Sequence, residues 1–427
     1  MPVEEECLSP YKRAKVADVD ATKEHKDRFF VATQSSVLYH PPLSIMFQPE
    51  LQRRYSGKDE YLMKVIPEYN IRHELHIAET LEKVDPKREY FLYAETASHV
   101  ELSQEQAKAM ENKLHANINE ATLSGCVIPY GGKRYDLYVK KHVRDWRQMV
   151  RHMKRFLEAV AMLKRVKLVH RDLTQNNIIG DGQHRLRIID FGVAAPFPLE
   201  DVTVDSMTKL YNHLCLEGIG RFAEWSLEMN AVHDGASELN YSYDSFKAWI
   251  LKSYDEWTPP FVRAHGKEIG KELDKSLKEW FDLGRRFKSM VYEDASKQKL
   301  NLKDYEQLAA LLQNVDQYML AQTVVRQMDM LFEKPMHERV WNDYKCGRRK
   351  LEHGDFTKYE DPFDRFSGES AQKRRAIERT TYFQQPELYI RFRTLLASML
   401  HPCLSQRPGF DTVVSSVDAI QSECLNE

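Results

Sequence analysis

Nowhere does this 427-residue chain run apolar for the roughly 18 residues that a membrane-spanning helix requires, so no such helix is expected. Its six cysteines (Cys7, Cys126, Cys215, Cys346, Cys403 and Cys424) are scattered and include no C-x-x-C pair. That spacing argues against a zinc ribbon and against a disulfide-stapled secreted domain, and points to reduced thiols in a cytosolic or nuclear setting. Charge of one sign is also missing: 62 basic against 64 acidic residues leave a net charge of −2. Such a balance gives no default affinity for nucleic acid or a membrane surface, and neither is expected as a partner. The start, Met1-Pro-Val-Glu-Glu-Glu6, is acidic where a secretory leader would be basic. Short basic clusters at Lys12–Lys15, Arg348–Lys350 and Lys373–Arg375 read as solvated surface.

What is present is ordinary in bulk, 42% hydrophobic and 30% charged, and long enough for two domains. The informative stretch is Leu168-Val-His170-Arg171-Asp172-Leu-Thr-Gln-Asn-Asn177, with Asp190-Phe191-Gly192 following thirteen residues after the asparagine. The pattern is H-R-D-L-x-x-x-N and then D-F-G. Phosphoryl transfer needs a carboxylate to receive the acceptor hydroxyl's proton and oxygen ligands for Mg²⁺. Asp172 is the candidate base, and Asn177 and Asp190 are the candidate metal ligands. Gly180-Asp-Gly182 between two short apolar runs predicts a hairpin, with strands over 177–179 and 186–189.

Upstream, Tyr61-Leu-Met-Lys64-Val-Ile66 is an apolar strand carrying one cation, and Lys64 is the candidate phosphate ligand. A plain edge-strand lysine is the alternative. From Ile71, helical periodicity puts Glu74 at the leading end of a face continued by Ile77, Ala78 and Leu81. Glu74 is therefore the expected partner of Lys64, with Glu79 as runner-up on the solvent side. Tyr90–Tyr93 and Cys126–Tyr130 read as further strands of a small sheet. The backbone of Val127, Ile128 and Tyr130, just before Gly131-Gly132, is the candidate adenine-binding hinge; a simple hairpin turn gives the same dipeptide. A helix is predicted from Trp146 to Val166, with Val150, Met153, Leu157, Val160 and Leu163 on one face.

In the second half, Ser226-Leu-Glu228 stands where an A-P-E sequence would. Asp316 opens the apolar run 315–324, either holding the backbone of the 170–172 loop or capping a helix. Met399-Leu-His401-Pro-Cys-Leu-Ser-Gln-Arg407-Pro408 resembles the M-L-D-P-x-x-x-x-R-P ending of protein kinase domains, with His401 for the aspartate, a resemblance that implies Arg407 as a partner for Glu228. Two inserts interrupt this half. The first, about 229–312, carries a stripe of Ile269, Leu273, Leu277, Trp280 and Phe287, read as core packing or as the seat of a protein partner. The second, about 333–378, is polar and reads as a surface excursion.

With these residues in place, the chain resembles the eukaryotic-type protein kinase family over about residues 29–415. Tyr39-His-Pro41-Pro42, Leu81–Pro86 with Tyr90-Phe91, and Tyr130-Gly131-Gly132 narrow the resemblance to serine/threonine kinases of nucleocytoplasmic large DNA viruses. The resemblance implies an α+β bilobal fold: a flexible arm (1–26), a small antiparallel sheet with one helix (27–130), and a large, mostly helical lobe with the inserts (131–427). It implies ATP and Mg²⁺ as cofactors, protein substrates, and a cytoplasmic setting (the host's, or the virion, if viral), with the nucleus as alternative. It further implies that Lys64 and Glu74 orient the phosphates and that Arg171 reads a phosphate on the activation segment. Thr203, Ser206, Thr208 and Tyr211 are candidate acceptors there. The sequence departs from the family in two places. The glycine positions of the phosphate-covering loop hold Val31, Thr33 and Ser36, and Thr174 replaces the lysine usual in serine/threonine kinases. The missing glycines keep open a catalytically weak pseudokinase or scaffold acting through the inserts. A small-molecule phosphotransferase is the third reading.

Overall fold

The computed structural model describes residues 29–32, 37–39, 54, 60–99, 123–214, 225–237, 241–249, 271–292, 302–328, 330–331, 385–401 and 403–425. The arm at 1–26, the loop positions Thr33 and Ser36, and the second insert lie outside these residues. The chain divides into two compact units: one runs through Gly132 and takes in Ile189–Gly192, the other holds Lys133–Ile188 and continues from Val193.

The first unit is α+β. Strands β1 (Phe29–Ala32), β2 (Val37–Tyr39), β3 (Tyr61–Pro67), β4 (Thr96–His99) and β5 (Leu123–Pro129) form an antiparallel sheet ordered β1-β2-β3-β5-β4, and helix α1 spans Glu68–Val84. Around the glycine-less phosphate-covering loop positions, β1 and β2 pair antiparallel with an irregular register. Buried Met63 and Val65 and their cross-strand partners Val127 and Gly125 anchor the centre of the sheet. The strand expected at Tyr90–Tyr93 does not form; the ladder strand is β4. Buried Asp85 is the cause, since its carboxylate accepts the N–H groups of Glu89, Tyr90 and Phe91 at 2.8–2.9 Å. Those donors are then spent locally, as Asx-type turns do.

The second unit is mostly helical. It contains β6 (Lys133–Arg134), α2 (Tyr135–His142), α3 (Trp146–Arg165), β7 (Leu168–Val169), β8 (Ile178–Gly180), β9 (Leu186–Ile188), β10 (Ala195–Pro196), α4 (Val204–Leu214), α5 (Leu227–Ala236), α6 (Lys271–Tyr292), α7 (Leu302–Met328), α8 (Pro386–Met399) and α9 (Phe410–Leu425). Two small sheets, β6-β8-β9 and β7-β10, carry the loops that matter below. The predicted hairpin is β8–β9. Asp181 closes it by accepting the N–H groups of Gln183 and Arg185 at 2.8 and 3.0 Å. Gly180 is needed for a close approach: a Cβ there would lie 2.3 Å from the ring of Tyr138. Helix α3 starts on an Asp145 cap reciprocated by Gln148, worth about 1 kcal/mol. It buries Met149, Val150, Met153, Phe156, Leu157, Val160 and Leu163, the predicted face and its flanks.

The apolar run at 315–324 is the middle of a helix that begins at Leu302, so Asp316 is interior and the capping reading fails. In the first insert, Leu277 and Phe287 are buried, and Leu277 and Phe281 form a cluster with Ala231 and Phe246. The described part of the predicted stripe therefore packs against α5 and the helical segment 243–249 of its own unit. Helices α5 and α6 meet backbone to backbone. A Cβ on Gly235 would lie 2.0 Å from the Phe281 carbonyl oxygen, and one on Gly284 2.1 Å from that of Val232.

Beside α2, the Tyr135 hydroxyl meets His152 Nδ1 at 3.1 Å, and their rings pack edge to face. Burial, with the charges of Arg151 and His184 adding to it, pushes the His152 imidazole down to about 3. The unfolded chain takes up this proton near pH 6.5 and the folded chain does not until about pH 3. Stability is therefore lost as pH falls through that window, by about 2 kcal/mol at pH 5. We expect the melting temperature to drop between pH 7 and pH 5 by several degrees more in the wild type than in His152→Phe. Equal drops in a thermal scan would show that His152 does not carry this dependence.

Candidate active site

In the first unit, β3 and β5 place Lys64 directly opposite Cys126, so the two side chains share a face of the sheet. Helix α1 delivers Glu74 to that face. The Lys64 ammonium bonds Glu74 Oε1, and the Cys126 thiol donates to Glu74 Oε2 at 3.8 Å. Asp190 Oδ1 takes a second bond from Lys64 at 3.0 Å. Glu79, the alternative partner, is exposed. Lys64 and Glu74 are only 6% and 7% exposed, which sets the electrostatics. Burial alone would lower the lysine's pKa, but the carboxylates of Asp190 and Glu74 outweigh it and hold the ammonium above its ordinary range. Burial raises Glu74, with Asp190 adding to it and Lys64 opposing. The Cys126 thiol is pushed well up by burial and then by Glu74, and stays neutral. The result is one cation held between two acids.

Asp190 adopts φ 63°, a left-handed conformation that costs a non-glycine residue of order 1 kcal/mol. Gly192 follows with its N–H on Asp190 Oδ1 at 3.4 Å, and a Cβ there would come within 3.3–3.4 Å of Asp190 and Glu74. Phe191 turns the other way, edge to face with Phe91 at 5.8 Å.

Part of the expected hinge is committed to the sheet. The Tyr130 N–H donates to Glu60 O at 2.8 Å, and Val127 O accepts from Glu95 N at 2.8 Å. Proline at 129 has no N–H to give. Adenine recognition through Val127, Ile128 and Tyr130 would have to use the groups that remain.

In the second unit, Asp172 and Asn177 are side by side. Asn177 Nδ2 donates to Asp172 Oδ2 at 2.6 Å and to its carbonyl oxygen at 3.0 Å. With the amide nitrogen spent on Asp172, the oxygen of Asn177 is the atom that can ligate a cation. The Asp172 N–H donates to His170 Nδ1 at 3.2 Å. Asp316 Oδ2 and Oδ1 accept the N–H groups of His170 and Arg171 at 2.9 and 2.8 Å, so this carboxylate clamps the loop.

Other anchors were not visible in the motif itself. Thr323 Oγ1 donates to Leu173 O at 3.0 Å, Gln327 Nε2 to Gln175 Oε1 at 2.6 Å, and Trp225 Nε1 to Arg171 O at 2.7 Å. Asp316, Thr323 and Gln327 are spaced seven and four apart, one stripe of α7, in a run otherwise rich in apolar residues. That polar stripe was the available signal. Arg171 is 1% exposed and donates Nε to Val193 O at 2.7 Å, which makes it a structural member of the loop; the expected phosphate-reading role would need an exposed guanidinium. Tyr211 is buried with its hydroxyl on Ala236 O at 2.7 Å, which removes it from the candidate acceptors. Thr203 and Ser206 bond each other at the start of α4.

Below the loop, both Glu228 oxygens accept from Arg407 Nη2 at 2.8 and 3.0 Å, and both side chains are 1% exposed. Arg407 also donates Nε to His401 O at 2.7 Å and lies 4.7 Å from the centre of the Tyr318 ring.

Residues 126–212 match the protein kinase domain family. This kinase-matched stretch is about a fifth of the chain and takes in Asp172, Asn177 and Asp190; Lys64, Glu74, Asp316 and Arg407 lie outside it. It supports a kinase, an enzyme that transfers phosphate. No curated protein matches the chain. Among the described residues no helix is long and apolar enough to cross a membrane, and no cluster of three or more His, Cys, Asp or Glu is placed to cage a metal ion. Amide and carboxylate oxygens of the kind Asn177 and Asp190 carry suit Mg²⁺, which keeps waters and phosphate oxygens as its other ligands.

Proposed function

We propose that the chain is an ATP- and Mg²⁺-dependent protein kinase that phosphorylates serine or threonine hydroxyls. The observation that carries this reading is Lys64, buried and charged between Glu74 and Asp190. A buried ammonium held by two acids retains an excess negative charge that suits a divalent cation, and a fixed positive charge that suits a phosphate chain. Asp172, which accepts from Asn177, would orient the acceptor hydroxyl and take its proton. Asn177 and Asp190 would hold Mg²⁺, which when bound neutralises charge on the phosphate oxygens. The choice of serine and threonine over tyrosine, a cytoplasmic setting, and kinship with kinases of large DNA viruses rest on the sequence resemblance and belong to this proposal.

Lys64→Met tests it. Phosphate transfer from radiolabelled ATP to a generic basic protein is expected to fall by about 10²–10³, the loss typical of removing one preorganised charged donor. Unchanged turnover in the variant would sink the assignment. Tight Mg-ATP binding by thermal shift with no transfer in the wild type would replace it with the scaffold reading.

A further inference from the structure

One side of α2 presents an exposed row that the site above does not use. Lys133, Leu137, Lys140, Lys141 and Arg144 are all exposed, while Tyr135, Asp136, Tyr138 and Val139 face inward. Within α2, Leu137, Lys140 and Lys141 are three and four apart and share one helix face; Lys133 lies on β6 just before the helix and Arg144 just after its extended C-cap, Val143. Together these residues offer four exposed cations close in sequence to one exposed leucine. Among the described residues none of the four cations is in ion-pair contact with a carboxylate, and none has an interaction beyond those described here. The Arg144 guanidinium donates to the carbonyl oxygens of Lys140 and Val143, and its backbone N–H to Gln148 Oε1 at 2.6 Å. Of the acids close in sequence, Asp136 is buried and taken by Arg134 at 2.6 and 2.8 Å, and Asp145 is taken by Arg147.

The surrounding sequence is biased in the same direction. Residues 133–167 hold 12 Lys or Arg against three Asp or Glu, in a chain whose net charge is −2. The positive charges also converge in space: burial, then Lys141, His184, Lys133 and Arg144, hold the His142 imidazole below its ordinary pKa. Helix electrostatics account for only part of this. Cations at 140–142 favour the negative end of α2, but Lys133 precedes the positive end, where a cation is unfavourable. An exposed leucine at 40% accessibility gains nothing from the dipole at all.

We propose that this face is a docking surface for an acidic, leucine-accommodating segment of the kinase's protein substrates, distinct from the phosphorylated residue itself. The inference rests on the kinase reading and adds a substrate class to it. A peptide fits better than a nucleic acid. The centre of the face is an aliphatic side chain, and Tyr135 and Tyr138, the aromatics that would stack on bases, point inward. Helix α2 also packs through Tyr138 on Gly180, at the end of the strand that follows Asn177, which ties the face to the loop bearing Asp172.

Two peptides with the same serine acceptor, one followed by a glutamate tail with a central leucine and one by a glutamine tail, test the proposal on the full chain. The wild type is expected to show a KM about tenfold lower for the acidic tail at equal kcat. Lys140→Gln/Lys141→Gln should erase that preference and leave the glutamine-tail kinetics unchanged. Leu137→Ala, which cannot weaken the helix, should reduce the preference about threefold. Fluorescence anisotropy of the labelled acidic tail gives a readout independent of catalysis, and its binding should weaken with added salt. If the tail binds the wild type but not the variant while neither peptide is phosphorylated, the docking surface stands and the kinase reading falls. Equal KM values for the two peptides, equal tail binding by variant and wild type, or tighter and variant-sensitive binding of a DNA duplex would overturn the proposal.

Discussion

Replacing Asp172 with asparagine is expected to lower the rate of phosphate transfer by roughly 10²–10⁴ without unfolding the protein. The substitution preserves shape and can still hydrogen bond Asn177, which now donates at 2.6 Å to Asp172 Oδ2. It removes the negative charge and the proton-accepting oxygen. The backbone frame is untouched, because the Asp172 N–H bond to His170 and the Asp316 clamp on His170 and Arg171 do not involve the replaced atoms. The loss should therefore appear in kcat, with ATP binding by thermal shift nearly unchanged. Equal single-turnover rates for variant and wild type would remove Asp172 from the chemistry.

The second large effect is on stability. Arg407→Met strips the guanidinium from a pair whose two members are each 1% exposed, and leaves Glu228 buried without its partner. Losing one member of such a pair costs about 3–5 kcal/mol, because the surviving charge keeps its desolvation penalty. The bond to His401 O and the contact with Tyr318 go with it. A fall of about 5–8 °C in the melting temperature is expected for a unit of this size. Glu228→Gln/Arg407→Met should recover part of the loss, since no charge is then stranded. A melting temperature within a degree of wild type for Arg407→Met would show that the pair is not a support of the fold.

The motif at 168–192 was legible in the sequence because its parts are contiguous: a short loop and a hairpin set by local turn chemistry put Asp172 beside Asn177. Glu74 was legible because helical phase distinguishes it from Glu79. What reading along the chain missed depends on contacts between distant segments. Asp85 diverts the amides of 89–91, so an aromatic run with strong strand character is not a strand. Cys126 joins Lys64 and Glu74 only through strand register. The long helix hides its own start, since Leu302 falls within the stretch read as the first insert, and Asp316 was therefore placed at an end. Tyr211 looked like any tyrosine in an activation segment until its hydroxyl was found on Ala236, 25 residues away.

The glycine contact between α5 and α6 has a mechanical consequence. With Gly235 against Phe281 and Gly284 against Val232, neither helix can slide or roll by a turn without driving a Cβ into a peptide carbonyl. The two helices must therefore translate as one piece. Glu228 sits on α5, and through Arg407 it connects to the segment ahead of α9. A displacement of α6 is thus passed to α5 and, through Glu228, to Arg407.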